Sequence, residues 1–257
     1  MTRTTKQVVY GSLYASFWLL CIFGFYVVFL KPAPSCTDGL RNQDEVEVDC
    51  GGQFCVSCEI KKLAPFQILP VQLFATSDEK RTTVVVEARN PNTTYGAEHF
   101  VYDVIISAKN PDRVAYTERI DMPMYPGELK YRVIVNAPVP YADIIGATTT
   151  LVDVSAWRPV ASFPKPRIPV RNIKTTVVGN RMMVTGSIQN ENPFALRRVN
   201  ISAFIDLPGQ GTQTVSKTVV NDLLVAEERG FQVVFPLPAG MTGGGTLEPR
   251  LVVDAER

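Results

Sequence analysis

The sequence predicts a mainly β protein with a single N-terminal transmembrane helix, a small cysteine-stapled loop segment and two tandem antiparallel β-sandwich domains. Three observations carry this. One apolar run without a charge, Val9 to Leu30, stands near the N-terminus. Four cysteines crowd into residues 36 to 58. The rest of the chain repeats itself at an offset close to one hundred residues, and each copy consists of short β-branched runs. The expected divisions are 1–8 (cytoplasmic N-terminus), 9–30 (transmembrane helix), 31–59 (cysteine-rich collar), 62–160 (first sandwich) and 162–257 (second sandwich).

The run VYGSLYASFWLLCIFGFYVVFL has 22 residues. At about 1.5 Å rise per residue a helix of that length crosses a hydrocarbon core of roughly 30 Å. A cleaved signal peptide fits less well, because its apolar region is shorter and an Ala-x-Ala-like site would follow. A lipoprotein signal ending at Cys36 would be interrupted by Lys31, Pro32 and Pro34. Arg3, Lys6 and the amino group lie before the run, whereas Asp38, Asp44, Glu45, Glu47 and Asp49 outnumber Arg41 after it. By the positive-inside rule the N-terminus is cytoplasmic and the bulk of the chain extracytoplasmic in the cell membrane.

That orientation bears on Cys36, Cys50, Cys55 and Cys58, since disulfides persist outside the cytosol; Cys21 stays in the membrane. A four-thiolate zinc site would use two paired knuckles, and only Cys55-x-x-Cys58 is one. A redox Cys-x-x-Cys would open a helix after a strand, whereas this one follows CGGQF. Two disulfides are the reading preferred here, because so short a segment without an aliphatic core needs staples. The pairing stays open among three connectivities. Gly51 and Gly52 allow a tight turn between the cysteines. Asp38, Asn42, Asp44, Glu45 and Asp49 are oxygen donors in one short loop, as calcium would require, but they lack the EF-hand spacing, so solvated acids are expected. No metal or cofactor is assigned.

CTDG, Asn42, Glu45, DCGG and CVSC, in that order, resemble a motif of bacterial extracytoplasmic proteins: Cys-x-Asp-Gly, then Asn, Glu and Asp-Cys-Gly-Gly, then Cys-x-x-Cys. The resemblance implies a surface location and a bacterial source, and brings no activity with it.

In the repeat, residues 69–92 lie over 168–192 with Asn90 opposite Asn190. Residues 125–135 lie over 224–235 with Tyr131 opposite Phe231, and Leu151 lies over Leu251. Expected strands of the first copy are TTVVVEA, FVYDVIIS, LKYRVIVNAP and TTTLVDVSAW; those of the second are RMMVTGSI, VNISAFID, TVSKTVV, GFQVVFPL and RLVVDA. NPNTTYG, NPDR, YPGE, NENPF and LPGQG are turn chemistry. RPVASFPKPRIPV, with four prolines, reads as a short stiff linker. RNPN at 89–92 resembles the turn after the second strand of water-stress or late-embryogenesis sandwiches. Gly186 to Asn190, AFID (203–206) and LLVAEERGF (223–231) resemble the bacterial FxLYD type, with AFID departing from its name-giving motif. The resemblance implies immunoglobulin-like sandwiches, which host many roles.

The near-neutral balance, 26 basic against 25 acidic residues, excludes the electrostatic footprint of nucleic-acid binding. His99, the single histidine, is expected solvated beside a loop. No nucleophile elbow, zinc-protease helix, P-loop or dinucleotide fingerprint occurs. TGGGT (242–246) reads as a hairpin loop. Trp157, Tyr131 and Phe231 alternate with Val and Ile, as core residues do. The sequons at Asn92 and Asn200 mean little in a bacterial chain. The expectation is a non-enzyme: a membrane-anchored structural or interaction protein presenting its sandwiches to an envelope protein or cell-wall partner. The alternative is a non-catalytic accessory subunit of a membrane enzyme or secretion complex.

Overall fold

The computed structural model describes residues 3–27, 35–42, 44–76, 79–109, 114–179, 181–207, 212–236 and 248–257. NPDR, most of LPGQG and TGGGT lie outside the described residues. The chain divides into two compact units, residues 1–63 and 64–257.

The first unit opens with helix α1 (Arg3–Phe25), all of whose residues are exposed or half-buried. It begins six residues before the charge-free run, so its first turns carry Arg3 and Lys6. It is long and apolar enough to cross a membrane. The cysteine segment that follows ends in a single turn, α2 (Cys58–Lys61), whose Ile60 N–H is capped by Ser57 Oγ at 3.4 Å.

The second unit is built from strands β1 (Gln67–Ile68), β2 (Gln72–Ala75), β3 (Thr82–Arg89), β4 (Tyr95–Ala108), β5 (Val114–Met124), β6 (Leu129–Ala137), β7 (Ile144–Pro159), β8 (Val170–Val178), β9 (Arg181–Gln189), β10 (Leu196–Leu207), β11 (Thr212–Leu223), β12 (Glu228–Pro236) and β13 (Arg250–Glu256). In the first sandwich β3 lies between β6 and the short β1 and β2, and this sheet faces β5-β4-β7. In the second, β8-β9-β12 faces β11-β10-β13. All pairings are antiparallel, and the connectivity of the two copies corresponds, with β1 and β2 together in the place of β8. Strands β1, β2, β5 and β8 lie outside the expected strands. In β5, charged Glu118, Arg119 and Asp121, together with Pro123, obscure the alternation.

Two separate cores form. Val84, Val86, Phe100, Tyr102, Val104 and Ile106 are fully buried in the first, and Met182, Val184, Ile188, Ile201 and Phe235 in the second. A third cluster joins them: Val85 and Val133 of the first sandwich meet Phe204 and Val215 of the second. The four sheets therefore stack, and β3 and β10 are covered on both faces. That explains why TVVV and ISAFI read as continuous apolar runs rather than strict alternations. The proline-rich join is pinned as well. The Phe163 ring lies 4.6 Å from that of Tyr125, and Lys165 Nζ is 3.1 Å from Glu128.

Register corrects the expected superposition twice: Leu151, opposite Tyr102, corresponds to Val253, opposite Ile201, rather than to Leu251, and the second shift lies in β6 and β12. Tyr131 pairs with Glu87, whereas Phe231 pairs with Gly186. With Asn90 matched to Asn190, Phe231 therefore corresponds to Arg132, and Tyr131 to Gly230. Tyr131, Val133 and Val135 point towards the second sandwich, where Tyr131 packs on Phe204 at 5.4 Å. Phe231 is a core residue, against which a Cβ on Gly186 would come within 2.9 Å.

Candidate functional site

Three places gather polar chemistry or unsatisfied surface: the cysteine collar, the joint between the sandwiches and the free edge of β7.

In the collar, disulfides link Cys36 to Cys55 and Cys50 to Cys58. Gly51 and Gly52 both have positive φ, 81° and 76°, and a Cβ on Gly52 would stand 2.5 Å from Asp44. The acids are not simply solvated. Asp38 accepts from the N–H groups of Leu40 and Ser35 and from Asn42 Nδ2, which hold its carboxyl below the usual range. Asp49 accepts from Gly39 N–H at 2.9 Å, and Asp44 from Gln53 N–H. Buried Glu45 accepts from the N–H groups of Asn42 and Asp49 at 3.1 and 3.2 Å. A loop almost without secondary structure leaves its amides unpaired, and carboxylates stand in for the missing carbonyls. Cys36, Glu45 and Cys55 bring their ligand atoms together, as do Glu47, Cys50 and Cys58. Each trio contains a disulfide, whose sulfurs carry no thiolate to give a metal.

The other residues singled out by sequence are scattered. His99 lies within β4, not beside a loop; it is half exposed, and its Nδ1 is 3.1 Å from Asp121 Oδ2. Trp157 packs on Phe66 at 5.0 Å at the margin of the first core. The side chain of Asn92 is fully engaged, its Nδ2 donating to Ala64 O and its Oδ1 accepting from Ala64 N–H.

The joint was invisible to sequence reasoning. Lys130, 1 % exposed, donates to Pro123 O and lies 2.8 Å from Asp254 Oδ1 of β13 and 3.8 Å from Glu128. Arg132 pairs with Glu118 at 3.3 Å, and Lys217 Nζ donates to Val133 O at 2.6 Å. Burial pulls the Lys217 amine below the ordinary lysine range. The available signal was Lys130 and Arg132 alternating with Tyr131 and Val133, since it marks a strand whose two faces meet different surroundings.

Strand β7 pairs with β4 on one side and, among the described residues, with nothing on the other. From Ile144 to Val152 it reads IIGATTTLV, without a charge or a proline. The other long edges carry charges or proline: β5 Glu118, Arg119 and Pro123, β6 Lys130 and Arg132, β8 Arg171 and Lys174, β11 Lys217 and Asp222, β12 Glu228 and Arg229, β13 Arg250 and Asp254. The ladder to β4 runs regularly from Gly146 to Leu151 and shifts register on either side of that stretch. Ile145, Leu151 and Val152 are 58 %, 48 % and 46 % exposed.

No family model matches the chain, and no curated protein matches it. Among solved structures, the crystal structure of red sea bream transglutaminase overlaps 76 % of this chain and 29 % of its own, at 16 % identity and a TM-score of 0.28. The match thus spans less than a third of that protein, and a likeness so slight carries no argument about fold or activity.

Proposed function

We propose that the protein is a non-catalytic, single-pass membrane protein of the bacterial envelope. In this reading α1 anchors it with the N-terminus cytoplasmic, and the disulfide-stapled collar and the immunoglobulin-like sandwiches are extracytoplasmic. The sandwiches bind another envelope protein, which adds an extended, uncharged segment as a strand along β7. The observation that carries this is the free β7 edge. Natural sheets protect long exposed edges with charges, prolines or cover, because unpaired N–H and C=O groups recruit strands. Residues 144–152 carry no charge and no proline and, among the described residues, pair with no strand on that side, whereas the other long edges carry charges or proline. Main-chain hydrogen bonds would supply affinity, and Ile145, Leu151 and Val152 the side-chain contacts.

A photo-crosslinking residue placed at Thr148 in the full chain, in cells, should capture one envelope protein, while the same residue at Thr176 on β8 should not. Leu151→Lys, at an exposed position, should abolish capture without loss of folded protein. Equal capture from both positions would sink the proposal, as would capture that survives Leu151→Lys. Capture of a second copy of this chain would replace the envelope partner with self-association.

A further inference from the structure

We infer that the turn Leu224–Glu227 of the second sandwich docks an extended segment of another protein, one that carries an aromatic ring two residues ahead of a lysine. This is independent of what β7 binds.

The repeat contains this turn twice and covers it once. Residues 125–128 join β5 to β6, and residues 224–227 join β11 to β12. The two turns are built alike. The Glu128 carboxylate accepts from Tyr125 N–H at 3.0 Å, and that of Glu227 from Leu224 N–H at 2.8 Å. The carbonyls of the same glutamates accept from the N–H groups of Asn90 and Asn190, each at 2.9 Å. Asn90 Nδ2 and Asn190 Nδ2 donate to Tyr125 O and Leu224 O, each at 3.0 Å. Gly127 and Ala226 both have positive φ, 65° and 60°.

The cover differs. Tyr125 is buried: its ring lies against that of Phe163 in the proline-rich join, and its hydroxyl donates to Ala255 O at 3.4 Å. Glu128 is buried as well, and receives Lys165 of the same join at 3.1 Å in addition to Lys130. In the second copy Leu224 and Val225 are 61 % and 53 % exposed. Glu227, among the described residues, pairs with Arg229 alone, the counterpart of Lys130. Single exposed apolar residues are ordinary on protein surfaces. Two neighbours on a turn whose twin is a contact surface are not.

The filled turn specifies the occupant of the open one. Equal backbone geometry presents the same shelf to an incoming chain, Leu224 and Val225 offer an apolar seat for a ring, and Glu227 has a carboxylate for a second cation. An acidic segment would meet Glu227, and a purely apolar one would cover that carboxylate without answering it. The join cannot serve both turns, since Phe163 and Lys165 are engaged at the first. A second copy of the chain has its own join engaged in the same way, so another protein supplies the segment. Because Glu227 and Asn190 already hold the turn, little ordering cost opposes binding.

The test uses the full chain in detergent micelles and, as probe, the peptide VASFPKPR of residues 160–167 with a photo-reactive benzophenone side chain in place of the phenylalanine ring. Saturable crosslinking to residues 223–227 is expected. The same peptide with Lys165→Glu should bind several-fold more weakly. Leu224→Asp and Val225→Asp, at exposed positions, should each abolish the crosslink in protein that thermal unfolding shows to be folded. No saturable crosslinking, crosslinking at the Tyr125 turn alone, crosslinking that survives either variant, or undiminished binding of the Lys165→Glu peptide would overturn the inference.

Discussion

Lys130 of the first sandwich and Asp254 of the second form an ion pair of 2.8 Å across the joint, and the Lys130 side chain is wholly inaccessible to solvent. Glu128, also buried, lies 3.8 Å from the same amine. Replacing one partner of such a pair strands the other charges in a medium that solvates them poorly. Lys130→Met should therefore cost about 3–5 kcal/mol. Denaturant unfolding of the full chain measures it, and a loss under about 1 kcal/mol, the range of an exposed pair, would show that the joint is wet and open.

Asn90 and Asn190 should behave as twins. Asn90 Nδ2 donates to Tyr95 O and Tyr125 O, and its Oδ1 accepts from Asn92 N–H and Nδ2. Asn190 repeats the arrangement with Phe194 O, Leu223 O and Asn192. Truncating either leaves buried backbone groups unsatisfied, at about 1–3 kcal/mol for each group. Asn90→Ala and Asn190→Ala should each lower stability by about 2–4 kcal/mol, and the double variant by nearly the sum, since the sites share no partner. Thermal and denaturant unfolding decide it; a tolerant site would mean that its loop is held by other contacts.

Alkali should unfold the sandwiches through their tyrosines. Burial raises Tyr116, with help from Glu118, to about 12, and pushes Tyr102 and Tyr125 higher still. A raised folded value means that the native state keeps protons the unfolded chain has lost. The stabilisation is complete below the unfolded tyrosine value of about 10 and is lost as pH climbs towards the folded values. Lys217 acts with the opposite sign, so wild type is compared with Tyr102→Phe. Tyr102 Oη has no hydrogen-bond partner among the described residues, so the variant should be as stable at neutral pH and decline less steeply above about pH 10. A variant that is destabilised at neutral pH would reveal a bond to that hydroxyl.

Reduction should act on the collar alone. The bridges close segments with sequence separations of 19 and 8, each closure worth on the order of 3 kcal/mol in the chain-entropy picture. The second unit contains no cysteine. Hydrogen exchange of the reduced full chain should accelerate across residues 36–58 and stay unchanged across the strands. Faster exchange in β3 or β10 would show that the sandwiches depend on the collar.

The sequence by itself determined the apolar N-terminal helix, the staple-dependent collar, the doubled β architecture and the pairing of Asn90 with Asn190. Each rests on local information: an uncharged run long enough to span a bilayer, cysteines in a segment without a core, alternation within a strand, a motif repeated at fixed offset. Tertiary structure alone decided which cysteines join, because all three pairings satisfy the spacing and only the turn at Gly51 and Gly52 brings Cys50 to Cys58. It also decided that Phe231 matches Arg132 rather than Tyr131, since strand register is fixed by the partner strand. Alternation tells which residues share a face but not what that face will meet. Tyr131 and Val133 alternate as core residues do, yet they face a second sandwich. Lys130 and Arg132 hold the alternate positions, and the buried charge of Lys130 and the half-buried charge of Arg132 become tolerable only when folding brings Asp254 and Glu118 within reach.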